Sequence, residues 1–259
     1  MERAILVVIP AYNEAARLPS LLADVQSYVR SSRPRDHGFN VQFTVVDDGS
    51  RRTEFEAAQA LLEKLALGDV VRLIRKEPNR GKGAALRAGF EDALSRPFRY
   101  LGFMDADGSV SVSELHDALV YLAAREGRLA GVIGSRVRML GRTVLRSPVR
   151  HCLGRVFATF ITAYFGCAVY DSQCGMKVFD AGVLRRYLHI PTDERWVWDT
   201  QLLIAMLRGG EQIHEIPINW REAGDSKVSL VRDPLRMLIR LVRFKRRLAI
   251  CPPLPAEPV

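Results

Sequence analysis

The stretch Arg99-Tyr100-Leu101-Gly102-Phe103-Met104-Asp105-Ala106-Asp107-Gly108 passes from an apolar run into two carboxylates and a turn. A run this short, closed by an Asp-Gly turn signal, reads as a strand covered on both faces by helices. It predicts a strand at residues 99–105, and similar runs predict strands at 4–9, 41–47, 69–75 and 130–134. Helical-period segments at 18–30, 54–67, 83–95 and 113–125 separate them. This alternation predicts an α/β fold, a doubly wound and mostly parallel sheet with helices on both faces. Further along, a helix at 150–165, a strand at 176–179, a helix at 200–208 and a strand at 213–220 are expected. Asp233 and Pro234 read as the N-cap and first residue of a final helix.

The chain has 259 residues, of which 48% are hydrophobic and 26% charged. These values exclude disorder, collagen-like repeats and low complexity as the organising principle. The length lies near the point where single cores stop growing, so one domain is expected. The longest uncharged stretch, 156–170, is shorter than the roughly 20 residues of a spanning helix. The apolar run ending at Pro10 is too short for a signal peptide, so no membrane-spanning segment is expected. Cys152, Cys167, Cys174 and Cys251 show no CxxC spacing, which argues against a zinc ribbon or a disulfide framework. A reducing, cytosolic compartment is the corresponding expectation.

Lysine and arginine number 38 against 29 acids, a net charge of +9. Between Lys227 and Arg247 there are eight basic residues and one acid, which calls for an anionic partner. On the final helix Arg236, Arg240, Arg243 and Arg247 form a stripe, and Met237, Leu238, Ile239, Leu241, Val242, Phe244 and Leu248 fill most of the remaining circumference. A core helix with a solvated face explains this pattern, and so does an interfacial helix on anionic lipid; the wide apolar arc favours lipid. Nucleic acid is not expected as the partner, because no aromatic-interleaved or zinc module accompanies the charge. The chain is thus parsed as a domain at 1–229, a basic amphipathic helix at 230–250 and a disordered tail at 251–259.

In open α/β sheets ligands bind beyond the carboxyl ends of the strands. There the chain carries Pro10-Ala11-Tyr12-Asn13-Glu14, Val46-Asp47-Asp48-Gly49-Ser50, Asn79-Arg80-Gly81-Lys82-Gly83 and Asp105-Ala106-Asp107-Gly108. Any one Asp-Gly pair could simply turn the chain. Four such segments on one edge point to a site. Asp105 and Asp107, two apart in an extended segment, can face one ion, and two hard oxygen donors suit Mg²⁺ or Mn²⁺. Ser109 could add a weak ligand. Gly81 and Gly83 would let the backbone approach a phosphate, with Lys82 as a point charge. The segment lacks the Ser or Thr that a P-loop places after its lysine, and no GxGxxG is present.

As an ordered set these motifs, with Gly134-Ser135-Arg136, resemble the inverting GT-A glycosyltransferases that use nucleotide sugars. The later segments Asp171-Ser172-Gln173-Cys174-Gly175-Met176-Lys177, Glu194-Arg195-Trp196-Val197-Trp198-Asp199, Glu215-Ile216-Pro217-Ile218-Asn219-Trp220 and Gly224-Asp225-Ser226-Lys227 are similar to dolichyl-phosphate β-glucosyltransferases and, more loosely, to polyprenyl-phosphate mannose synthases. The resemblance covers about residues 4–245. It implies that Pro10, Ala11, Tyr12 and Glu14 hold the nucleoside, with Asp47 and Asp48 near base and ribose. It places Lys82 and Ala106 at the donor, and Asp105 and Asp107 on metal and diphosphate. Arg136, Arg150, Arg221 and Lys227 would grip the acceptor phosphate. Gln201 departs from the glucosyltransferases, which carry Glu there, and Arg221 is closer to the mannose enzymes. The expected reaction is inverting, metal-dependent transfer of a hexose, glucose from UDP-glucose, to a polyprenyl or dolichyl phosphate by a peripheral protein on the cytosolic membrane face. GDP-mannose as donor, a soluble hydroxyl acceptor and a non-catalytic nucleotide-sugar-binding protein stand as alternatives. A hydroxyl acceptor needs a base, for which Asp199 is the candidate; as a plain structural residue Asp199 would cap the helix at 200–208.

Overall fold

The apolar run at the amino end becomes β1 (Arg3–Ala11), whose side chains alternate between two cores. Ile5, Val7 and Ile9 enter one buried cluster, Leu6 and Val8 the other, as the two-residue period of a strand requires. The computed structural model describes residues 2–222 and 232–250, with side chains through Leu248. After β1 come α1 (Leu18–Arg30), α2 (Arg33–Asp36), β2 (Phe39–Asp48), α3 (Arg52–Lys64), β3 (Val71–Lys76), α4 (Lys82–Leu94), β4 (Tyr100–Met104), α5 (Val112–Ala123) and β5 (Gly131–Ser135). The second half adds β6 (Val144–Leu145), α6 (Pro148–Phe165), β7 (Met176–Asp180), α7 (Ala181–Tyr187), α8 (Trp198–Arg208), β8 (Ile213–Pro217), β9 (Trp220–Arg221) and α9 (Arg232–Ile250).

Seven strands form one sheet in the order β3-β2-β1-β4-β7-β5-β8. All neighbours run parallel except β7, which is antiparallel to both β4 and β5. The expected α/β fold with a mostly parallel sheet is therefore present. Leu21, Leu22 and Val25 of α1 and Leu115, Leu119 and Leu122 of α5 cover one face; Leu86 and Phe90 of α4, Leu202 and Leu203 of α8 and Leu241 and Phe244 of α9 cover the other.

Three elements lie outside the expected pattern: α2, the two-residue β6 and α7, which opens on Asp180 accepting from the Val183 N–H at 3.1 Å. The strand expected at 213–220 is split. Asn219 turns out of it, its Oδ1 accepting from the Thr143 N–H at 2.8 Å and its Nδ2 donating to Glu114 at 2.6 Å. Trp220 and Arg221 then pair with β6 in a separate two-stranded sheet. On α9, Met237, Leu241, Phe244 and Leu248 are buried in the second core, so the helix is seated on the same body as the sheet. Its solvent side carries Leu235, Arg236, Ile239 and Arg243. No described helix is long and apolar enough to cross a membrane. Lys227 and the tail at 251–259 lie outside the described residues.

Candidate active site

The parallel strands β1, β2 and β4 end beside one another, and their carboxyl ends open into a cavity of about 530 Å³. It is lined by Pro10, Ala11, Tyr12 and Glu14 after β1, Asp48 at the end of β2, and Lys82, Asp105, Ala106 and Asp107. Arg136, Arg146, Arg150, Asp199, Trp196 and Trp220 line it as well. Acids and a lysine thus share one cavity with several guanidiniums.

Lys82 opens α4 and reaches Asp105 Oδ1 at 2.5 Å. Burial works against the Lys82 ammonium, but Asp105, Asp199 and Asp107 outweigh it and hold its pKa above the ordinary lysine value. Burial pushes the Asp105 carboxyl up in spite of Lys82, with Asp107 and Asp199 adding to the rise. Asp107 Oδ1 accepts from the Ser109 N–H at 3.0 Å, fixing the turn through Gly108. Asp105 is seated against Gly175, where an added Cβ would lie 2.2 Å from its Oδ2. Among the described residues no three His, Cys, Asp or Glu side chains converge as a self-sufficient metal centre. Two carboxylates alone fit a hard divalent cation that completes its shell with water and phosphate oxygens.

The glycines of the Asn79–Gly83 segment serve a different purpose from the one expected. A Cβ on Gly81 would meet the Glu194 carbonyl at 2.5 Å, and one on Gly83 would meet Trp198 Cβ at 2.4 Å. The N–H groups of Gly83 and Ala84 donate to the carbonyls of Arg195 and Glu194, each at 3.0 Å. Those of Arg80 and Gly81 donate to the two oxygens of Asp48, at 3.1 and 2.6 Å. These four donors of the helix start are satisfied by protein, and the Lys82 side chain is the charged group that the segment presents to the cavity. Asp48 lines the cavity and anchors this loop, and burial raises its carboxyl. Asp47 does not line the cavity: it is buried and its Oδ1 accepts from the Ser50 N–H at 3.1 Å.

Asp199 does not cap α8. It sits within the first turn, with Val197 at the cap position. Its Oδ2 pairs with Lys177 Nζ at 2.7 Å and its Oδ1 accepts from the Thr200 N–H at 2.8 Å. Lys177 is fully buried and also donates to the Cys174 carbonyl at 2.8 Å. Gln201 points away from the cavity, its Oε1 accepting from the N–H groups of Thr192 and Asp193 at 2.8 and 2.9 Å. The departure from Glu at this position therefore removes no group from the site. Trp198 is buried against Phe90, whereas Trp196 faces the cavity.

Among the guanidiniums of the cavity, Arg136 is held by a two-pronged pair with Asp171, at 2.6 and 2.7 Å, and lies over the Trp220 ring. Arg150 pairs with Glu222 at 3.0 Å. Arg221 is separate: it is exposed in β9, its N–H donates to the Ser109 carbonyl at 3.1 Å, and it is not among the lining residues. Sequence reading missed Arg146. Its guanidinium lines the cavity and makes no ion pair among the described residues. Burial, and then the neighbouring Arg136, pull its pKa down to about 10. An absence of acids from Arg136 to Tyr170 was the available signal. Arg17, paired with Glu14 at 2.6 Å, is a further lining residue outside the motifs, and Asn79, within one of them but given no role, donates to the Asp48 carbonyl at 2.8 Å.

This sheet, with carboxylates, a lysine and guanidiniums around one cavity at its strand ends, is that of a GT-A, nucleotide-sugar-dependent glycosyltransferase. The chain belongs to glycosyl transferase family 2, whose domain matches residues 6–188. It is 34% identical over 249 residues to a dolichyl-phosphate beta-glucosyltransferase of Saccharomyces cerevisiae, covering 91% of this chain and 72% of that one. The protein of the same description from Homo sapiens is 33% identical, covering 86% and 68%. Among solved structures, glucosyl-3-phosphoglycerate synthase from Mycobacterium tuberculosis, in complex with Mn²⁺, UDP-glucose and phosphoglyceric acid, superposes with a TM-score of 0.66 at 19% identity, covering 98% of this chain and 82% of that one. That likeness is one of fold.

Proposed function

We propose that the chain transfers glucose, with inversion, from UDP-glucose to a polyprenyl or dolichyl phosphate. The observation that carries this reading is the set of guanidiniums in the cavity. Arg136, Arg146 and Arg150 line it, while Asp199, the candidate base, is already engaged by the buried Lys177. A phosphate acceptor is anionic at neutral pH and needs positioning rather than a base. A hydroxyl acceptor would need a base with a free lone pair aimed at the proton. The names of the relatives, dolichyl-phosphate beta-glucosyltransferases, support both the sugar and the acceptor.

In this reading Pro10, Ala11, Tyr12 and Glu14 hold the nucleoside, with Asp48 beside it and Asp47 shaping the turn behind. Asp105 and Asp107 would hold a Mg²⁺ or Mn²⁺, which supplies charge neutralisation of the diphosphate; the Mn²⁺ of the mycobacterial complexes is in keeping with this. Lys82 lies where it can exchange its pairing with Asp105 for the diphosphate as negative charge builds on the leaving group. Arg136, Arg146 and Arg150 fix the acceptor phosphate so that one oxygen attacks the anomeric carbon as the bond to the nucleoside diphosphate breaks. Lys227 would belong to the same grip. The enzyme would work as a peripheral protein on the cytosolic face of a membrane, its final helix, α9, meeting anionic lipid.

A panel of UDP- and GDP-sugars, assayed with a short-chain polyprenyl phosphate, tests the assignment. UDP-glucose is expected to give the highest kcat/KM and chelator to abolish transfer. Preference for GDP-mannose would move the chain to the mannose synthases, and turnover in excess chelator would remove the metal.

A further inference from the structure

Nine large apolar side chains are exposed among the described residues, and six of them lie between Met139 and Val156. Leu140 is 98% exposed, and Val149 and Val156 are 57% and 69% exposed. On α6, Val149, Leu153 and Val156 follow one another at spacings of four and three, which places them on one stripe. The buried residues of this helix, Ala158, Ile161 and Phe165, all belong to its second half, so the first half presents its apolar stripe to solvent.

Charge accompanies the stripe. From Arg136 to Tyr170 there are six arginines and neither Asp nor Glu. Two of the six are answered by acids from β9 onward or from α5: Arg150 pairs with Glu222 and Arg142 with Glu114. Arg136 pairs with Asp171. Arg138, Arg146 and Arg155 make no ion pair among the described residues. Arg138 donates to the Arg146 carbonyl and Arg155 to the Tyr170 carbonyl.

We propose that this face, the loop at 138–145 and the outer side of the first half of α6, docks on the headgroup layer of an anionic lipid bilayer. The proposal rests on the lipid-phosphate reading of the acceptor and adds to it the surface that meets the lipid. Exposed Leu and Val interleaved with guanidiniums that make no ion pair among the described residues is the composition of an element lying in the interface, apolar side chains below the phosphates and cations among them. The same segment sends Arg146 and Arg150 into the cavity. Seating it in the headgroups therefore brings these two guanidiniums to the level at which a lipid phosphate lies. This surface is distinct from the arginine stripe of α9.

The test is co-sedimentation of the full chain with vesicles of phosphatidylcholine containing a minority of phosphatidylserine. The wild type is expected to bind, and Leu140→Gln/Val149→Gln/Val156→Gln to bind roughly tenfold more weakly or worse, while both transfer sugar equally to a water-soluble short-chain polyprenyl phosphate. Leu140→Gln alone, at a fully solvated loop position, keeps the test valid if the triple variant is unstable: it too should weaken vesicle binding. Vesicle binding by the folded variants equal to wild type would overturn the proposal, as would a wild type that ignores vesicles. So would a wild-type dimer that the triple variant splits without changing vesicle binding, since the patch would then meet a second copy. Failure of the wild type to use the short-chain phosphate would instead strike the acceptor reading, whatever the vesicles show.

Discussion

Asp199 faces the cavity with one oxygen tied to a lysine that has no contact with water. Breaking such a pair from one side leaves a charge buried without compensation, at a cost of about 3–5 kcal/mol. Asp199→Asn is therefore expected to lower stability by about 3 kcal/mol, measured by urea denaturation. Asp199→Asn/Lys177→Met removes both charges and should recover most of that loss. If a phosphate attacks, the double variant should keep kcat within about tenfold, because no proton has to be removed; loss of about 10²-fold or more from the folded double variant would identify Asp199 as a base. The carboxylates of the site were legible in the sequence because they follow apolar runs directly. What each one touches was not. Asp48 as the anchor of the Arg80–Gly81 turn, and Lys177 as the partner of Asp199, depend on contacts between residues at least 32 and 22 positions apart.

The junction of α4 with the segment leading into α8 shows the same division among elements. Gly83 was read as freedom for the backbone near a phosphate, yet it is the place where Trp198 crosses the helix start. Gly83→Ala would force a methyl to within 2.4 Å of Trp198 Cβ in a closely packed region. A loss of about 1–3 kcal/mol is expected, along with weaker UDP binding as Lys82 is pushed off its position. Calorimetry and nucleotide titration would check both, and a Gly83→Ala protein as stable as wild type would refute the contact. The alternation of strands and helices from β1 to β5 could be read because covered parallel strands are continuous apolar runs. The reversal at β7 could not, since an apolar run of five residues carries no direction. Nor could the break at Asn219, which is made by hydrogen bonds to Thr143 and Glu114, residues remote in the chain.

Over the molecule as a whole the net charge of +9 is not spread evenly. It gathers in the acid-free segment from Arg136 to Tyr170, which sends Arg136, Arg146 and Arg150 into the cavity, and in the arginines of α9, which do not line it. Composition announced an anionic partner but assigned it to the end of the chain, where a stripe of arginines is easy to see. The fold shows a second cationic region in the middle, around β6 and α6, whose arginines share the cavity with Asp105 and Asp107. In the proposed reading that cavity takes a diphosphate sugar at the carboxylates and a phosphate at the guanidiniums. The direct measurement is transfer from UDP-glucose to a short-chain polyprenyl phosphate and to the matching polyprenol, in wild type and Arg146→Ala. A charge-assisted contact of roughly 1.5–3 kcal/mol predicts transfer to the phosphate alone, with the acceptor KM raised about tenfold or more in Arg146→Ala and donor affinity unchanged. Equal transfer to the alcohol, or an Arg146→Ala enzyme with unaltered acceptor kinetics, would contradict it.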